Sequence, residues 1–284
     1  MKILLLSDLH LEKRTDTVSY HGGADVVVLA GDIHTKGRGV AWARTTFDCP
    51  VLYVPGNHEG WSGHWEKTIQ KMKDESKGTN VTVLCNDHKT IDGVRFLGST
   101  LWTDFGLLGP ETKRFAMDQA GEGRDMYKAG MRDYKYIRTK GYRRLLPRDT
   151  LEWNTRAKDW VETEMEKPFT GDTVIITHHP PVPPPDFDRS QATLFDAAYM
   201  NDWDDLVKKT GAVAWFYGHT HAPRRFTVGG TLMASHPVGH QEEKLDPFYQ
   251  SLIEVKNGRA NILKQENTIL GITENVKSQK KMVK

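Results

Sequence analysis

Five short apolar runs in this chain each break off into a group of Asp, Asn or His residues. Lys2-Ile3-Leu4-Leu5-Leu6 leads into Ser7-Asp8-Leu9-His10, and Ala24-Asp25-Val26-Val27-Val28-Leu29-Ala30 into Gly31-Asp32-Ile33-His34. Val51-Leu52-Tyr53-Val54 leads into Pro55-Gly56-Asn57-His58-Glu59. Thr173-Val174-Ile175-Ile176-Thr177 precedes His178-His179, and Ala212 to Tyr217 precedes Gly218-His219-Thr220-His221. Runs this short and this rich in β-branched residues read as buried strands. Helical patterns at 40–47, 64–77, 149–167 and 201–209 separate several of them, which is the order of an α/β fold. Such sheets bind ligands beyond the carboxyl ends of their strands. The polar tips are therefore expected to converge at one edge of the sheet.

Hairpin signals at Asp92-Gly93, Gly229-Gly230 and Asn257-Gly258 make the sheet mixed rather than purely parallel. The long helix is expected from Asp149, a cap with Glu152 as its capping-box partner, and to bury Trp153, Ala157, Trp160, Val161 and Met165. Residues 1–270 read as one domain. A basic, Tyr-rich insert lies at about 105–148: between Arg124 and Arg148 nine Lys/Arg stand against two Asp, among Tyr127, Tyr134, Tyr136 and Tyr142. Either it is a solvated face or it forms an electropositive rim that draws an anionic substrate. The basic tail, 271–284, is expected to be mobile.

With 284 residues, 38% hydrophobic and 27% charged, the chain is long enough for one large domain. A net charge of +2 gives no argument for a nucleic-acid or membrane partner. Cys49 and Cys85 form no metal-type pair, which fits a reducing compartment. No apolar run approaches the ~20 residues of a membrane span, and the first breaks off at Ser7-Asp8, short of a secretion signal. A cytoplasmic protein is expected.

The candidate ligands are Asp8, His10, Asp32, Asn57, His178, His219 and His221. Oxygen and imidazole donors without thiolate suit Mn, Zn, Fe, Co or Ni. Seven ligands are too many for one tetrahedral ion and suit two, roughly 3.5–4 Å apart with a shared carboxylate. Asp32, alone on its tip, is the natural bridge. His58 shares the tip of Asn57 and is itself metal-competent.

The ordered set Asp8-x-His10, Gly31-Asp32, Gly56-Asn57-His58-Glu59, His178 and Gly218-His219-x-His221 resembles the calcineurin-like metallophosphoesterases, and His179-Pro180-Pro181 with the basic Tyr-rich insert resembles their bacterial or phage type. The resemblance implies a four-layer α/β/β/α sandwich with a dinuclear site. It implies that Asp8, His10 and His221 hold one ion, that Asn57, His178 and His219 hold the other, and that Asp32 bridges them. It makes His58 the acid for the leaving oxygen. The expected activity is hydrolysis of a phosphomonoester or phosphodiester, nucleotides included, by a metal-bridging hydroxide with two divalent ions, Mn²⁺ foremost. His34, Lys36, Glu59 and His179 are candidates for supporting or substrate contacts. His236 and His240 are expected at the surface.

Protein Ser/Thr phosphatases of this superfamily carry Asp and Arg three and four residues after the bridging Asp; Thr35 and Lys36 stand there instead. The acid His58 thus needs another carboxylate, or has none. Two other readings are a scaffold that keeps the fold without turnover, as in retromer-type relatives, and a nuclease whose basic insert lines a groove for single-stranded nucleic acid.

Overall fold

The computed structural model describes residues 1–273 apart from 16, 126, 241–242, 244–250 and 264–269. In chain order the elements are β1 (Lys2–Leu6), β2 (Thr17–Tyr20), β3 (Val26–Ala30), α1 (Arg38–Thr46), β4 (Val51–Val54), α2 (Trp65–Ser76), β5 (Val81–Val83), β6 (Asp87–Ile91) and β7 (Val94–Ser99). The insert contributes α3 (Lys113–Gly121) and the single turn α4 (Asp133–Tyr136). Then come α5 (Pro147–Glu166), β8 (Thr173–Thr177), α6 (Asp204–Thr210), β9 (Ala214–Tyr217), β10 (Arg224–Val228), β11 (Thr231–Ser235), β12 (Ser251–Lys256), β13 (Arg259–Ile262) and β14 (Leu270–Thr273).

The strands form two six-stranded mixed sheets, ordered β13-β12-β1-β3-β4-β5 and β10-β11-β9-β8-β7-β6. Period-two alternation sorts each strand's side chains onto opposite faces. Ile3, Leu5, Val26, Val28 and Leu52 face Phe96, Val174, Ile176 and Phe216 in a core between the sheets. Leu4, Leu6, Val27, Leu29 and Tyr53 turn the other way, onto Val40 and Ala43 of α1 and Met72 of α2. On the far side, Ile175, Trp215 and Met233 meet Val161 of α5 and Val207 of α6. Helices, sheet, sheet and helices therefore make four layers. Each fully buried aliphatic side chain stabilises this stack by about 1.5–3 kcal/mol.

The five polar tips do not share one sheet edge, as a single sheet would require. β1, β3 and β4 belong to the first sheet and β8 and β9 to the second, and the tips meet where the two sheets lie face to face. Backbone bonds fasten the sheets there: after β11 the chain runs beside the β1 tip, with Ser7 N donating to His236 O at 3.0 Å and Gly239 N to Asp8 O at 2.8 Å.

Two boundaries differ from the sequence expectation. α5 begins at Pro147, and Asp149 sits inside its first turn, where Oδ2 accepts from Leu146 N at 2.8 Å. Proline at the first helical position needs no N–H partner, so the helix starts before its acidic residue. At the other end, β14 pairs antiparallel with β2, Gly271 opposite Ser19 and Thr273 opposite Thr17. The boundary drawn at residue 270 thus falls inside a strand; residues 274–284 lie outside the described residues. No helix among the described residues is long and apolar enough to cross a membrane.

Candidate metal centre

The tips are built from backbone that few L-residues adopt. Asp8, His10, Asp32, His219 and His221 have φ of 51°, 46°, 56°, 72° and 48°. Left-handed backbone at a non-glycine residue is uncommon and persists where surrounding contacts over-determine it. Those contacts are present. His219 N donates to both Asp8 oxygens at 3.0 and 3.1 Å, and Asp32 N donates to Glu59 Oε2 at 3.1 Å. Gly31, at φ +89°, and Gly56 make room: a Cβ on the first would collide with the His178 ring and on the second with Asp32 Oδ1.

Asp32 lies at the middle. Its Oδ1 is 3.4 Å from His178 Nε2 and accepts from His58 N at 2.8 Å. Its Oδ2 is 3.9 Å from His10 Nε2 and 3.8 Å from His58 Nε2. Around it, His178 Nδ1 donates across the sheets to Ala30 O at 2.9 Å, which turns Nε2 toward Asn57 Oδ1, also 2.9 Å away. Asn57 is oriented from the insert, because its Nδ2 donates to Asp133 Oδ1 at 2.9 Å. On the other side His10 Nε2 and His221 Nε2 face each other at 3.0 Å, and His221 Nε2 is 3.6 Å from Asp8 Oδ1.

These contacts fit divalent cations. Two imidazole nitrogens pointing at each other, and an imidazole nitrogen pointing at an amide oxygen, each leave lone pairs opposed unless a proton or a cation lies between. His219 Nε2 is buried and has no hydrogen-bond partner. Burial would lower the affinity of His178 for a proton, yet the Asp32 and Asp8 carboxylates raise its pKa to about 10. The same negative field favours a metal on the same lone pair. His219, buried beside His179 and His178, is pushed well below the usual imidazole range and offers a free lone pair. Within the cluster, His10, Asp32 and His58, and likewise Asp32, His178 and His219, bring donor atoms within 4.8 Å of one another.

The supporting residues divide. Glu59 is fully buried and ties two tips together: Oε2 accepts from Gly56 N at 2.8 Å as well as from Asp32, and Oε1 accepts from Ile33 N at 2.9 Å and Tyr53 OH at 2.6 Å. Burial beside Asp32 pushes its carboxyl up to about 7. His179 is buried against His219, its Nδ1 3.2 Å from Thr100 O; burial and then His178 take its pKa down to about 3. His34 is half-buried, with Nδ1 3.9 Å from Glu12 Oε2. Lys36 is exposed and is not among the residues that line the cavity.

A cavity of about 370 Å³ opens over Asp32, Asn57, His58, His219 and His221. Several residues in and behind its walls were not singled out from sequence. Glu12 Oε1 is 3.1 Å from His58 Nδ1. Trp61 stacks on the His58 ring at 3.7 Å between centroids and donates from Nε1 to Asp133 Oδ1 at 2.7 Å. Tyr199 stacks on His219 at 4.9 Å. Glu243 accepts from His221 Nδ1 at 2.8 Å. His240, expected at the surface, lies 4.2 Å from the His10 ring and lines the cavity, and His236 is buried, because the chain after β11 returns across the β1 tip. The insert is less of a basic rim than its composition suggests. Arg132 reaches the cavity wall, Tyr134 is buried and bonds to Thr150, and Asp133 holds Asn57. Of these residues, Glu12 alone carried a local signal, standing two residues past His10 as His10 stands two past Asp8.

Three comparisons bear on this site. The calcineurin-like phosphoesterase family matches residues 1–223. An uncharacterized protein of Acanthamoeba polyphaga mimivirus is 24% identical over 210 residues, spanning 68% of this chain and 69% of that one. The crystal structure of a phosphopantetheinyl hydrolase from Mycobacterium tuberculosis has the same fold, with a TM-score of 0.69 at 18% identity over 90% of this chain and 96% of that one.

Proposed function

The chain belongs to the calcineurin-like phosphoesterase family and is a metal-dependent phosphoesterase, and on that premise we propose that it hydrolyses a small phosphomonoester or phosphodiester, nucleotides included, at a dinuclear centre. The observation that carries the reading is Asp32, whose two oxygens lie within 3.9 Å of His10, His58 and His178 at once.

In this reading Asp8, His10 and His221 would hold one divalent ion and Asn57, His178 and His219 the other, with Asp32 shared. Mn²⁺ is the proposed metal, and the same oxygen and imidazole donors also suit Fe, Zn, Co or Ni. When bound, such ions neutralise the phosphoryl oxygens and bring the pKa of a bound water down to about 7. Asn57 contributes its amide oxygen without adding negative charge to the site. His58 would give its proton to the leaving oxygen. Burial opposes its protonated form, but the Asp32 carboxylate and the hydrogen bond to Glu12 raise its pKa above the usual value. Stacking on Trp61 keeps its ring from swinging away from the cavity. Lys13 and Arg132 in the wall supply positive charge where an anionic ester enters.

The test is hydrolysis of p-nitrophenyl phosphate and bis(p-nitrophenyl) phosphate by Mn²⁺-loaded protein. Turnover of at least one ester, abolished by chelation and restored by Mn²⁺, is the expected result. Protein that takes up metal and turns over neither ester would support the scaffold reading instead.

A further inference from the structure

Glu12 continues an alternation that outlasts its strand. β1 ends at Leu6, yet Leu9 and Leu11 still turn into the core beneath the first sheet. Asp8, His10 and Glu12 are left on the opposite side. Lys13 N donates to His10 O at 2.8 Å, closing a turn that folds Glu12 back over the site. One of its oxygens, Oε1, then meets two imidazoles, His58 Nδ1 at 3.1 Å and His10 Nδ1 at 3.3 Å.

A carboxylate only accepts, so both rings carry a proton on Nδ1. For His10 this leaves the lone pair on Nε2, the nitrogen that faces His221 and Asp32. For His58 it directs chemistry to Nε2, the nitrogen 3.8 Å from Asp32 Oδ2. From this geometry we infer that Glu12 is a positioning residue shared by the two: a single carboxylate sets the tautomer of a metal ligand and of the proton donor. The inference rests on the reading of His58 as that donor.

No other acidic group among the described residues is placed to do this for His58. Asp32 Oδ1 accepts from the His58 backbone rather than the ring. Asp133 Oδ1 takes the Asn57 amide and the Trp61 indole. Thr35 stands where protein Ser/Thr phosphatases carry Asp, and its hydroxyl is 3.4 Å from His34 Nδ1. The Trp61 stack fixes the ring plane but cannot choose which nitrogen holds the proton. Glu12 Oε2 is buried without a hydrogen-bond partner, 3.9 Å from His34 Nδ1. That free oxygen defines the rival role, in which Glu12 is itself a metal ligand.

The two roles part on leaving-group dependence. A group that orients the acid matters in proportion to how much the leaving oxygen needs a proton; a lost ligand slows every ester alike. The experiment compares wild type, Glu12→Ala and Glu12→Gln, loaded with Zn²⁺, on a p-nitrophenyl and an alkyl ester of phosphate, with metal content measured on the same samples. Glu12→Ala should lose about 10²-fold in kcat on the alkyl ester, several-fold less on the nitrophenyl ester, and stay fully loaded at saturating Zn²⁺ although its affinity falls about 10-fold through His10. Glu12→Gln should recover part of the loss, since its amide oxygen still accepts. Equal losses on both esters, or metal lost in step with rate, overturn the inference. A second readout does not depend on turnover. In the imidazole ¹⁵N spectrum of the Zn²⁺ form, the ring assigned to His58 by its absence from His58→Ala should show a hydrogen-bonded Nδ1–H that Glu12→Ala removes. A wild-type His58 with bare Nδ1 contradicts the inference. A wild type inactive on both esters would instead sink the phosphoesterase reading and leave the spectrum to decide on Glu12.

Discussion

The histidine and asparagine at the β8 and β4 tips are held differently from His10 at the β1 tip and His221 at the β9 tip. His178 and Asn57 are buried at 0% and 3% exposure, backed by a backbone carbonyl, Ala30 O, and by the buried carboxylate of Asp133. His10 and His221 are backed by the side chains of Glu12 and Glu243, and the His221 side chain is 21% exposed. A carbonyl inside a sheet moves only if the sheet moves; a carboxylate on a loop can swing away. The groups behind metal-bound histidines set ring orientation and basicity. An ion held by the inner pair should therefore exchange slowly and one held by the outer pair faster.

The strongest challenge to this comparison is a pair of deletions. His178→Ala should abolish activity and lose metal that excess Mn²⁺ does not restore, because the proposed ligand and the tie to Ala30 O go together. His221→Ala should lose activity at low Mn²⁺ and regain a measurable part of it at millimolar Mn²⁺. Activity against Mn²⁺ concentration reads both, and indistinguishable curves would break the distinction between inner and outer halves. Next comes His58→Ala, which should cost about 10²–10⁴-fold in kcat with metal content unchanged, as metal analysis beside the assay would report. If metal leaves with the rate, His58 is a ligand and not the acid. Smaller is Asp133→Ala, which frees the Asn57 amide and should weaken metal binding about 10–100-fold, seen in competition with a chelating dye. Glu243→Gln, behind the more exposed His221, should fall at or below the low end of that range in the same assay.

Much of this site was legible because each tip is local. A buried strand announces itself by its apolar run, and its candidate ligands follow within a few residues: Asp8 and His10 after β1, His219 and His221 after β9. The hairpins at Asp92-Gly93 and Asn257-Gly258 were equally local, since left-handed turn residues mark them. What escaped acts across distance. Asp133 reaches Asn57 over 76 residues of chain, and Glu243 reaches His221 over 22. Nothing in a run of lysines, arginines and tyrosines marks the one aspartate that turns inward. His240 was assigned to the surface because a loop histidine usually is, and only the return of the chain past β1 brings it over the site. That the tips come from two sheets was likewise hidden in the residues themselves, since apolar runs do not say which strand pairs with which.

The central claim is that Asp32 joins two ions. Metal content of wild-type and Asp32→Asn protein, each equilibrated with Mn²⁺ and freed of loosely bound ion, tests it directly. The account predicts close to two equivalents per chain in the wild type and less than one in Asp32→Asn, with activity lost. Two equivalents retained in Asp32→Asn, or none in the wild type, would contradict it.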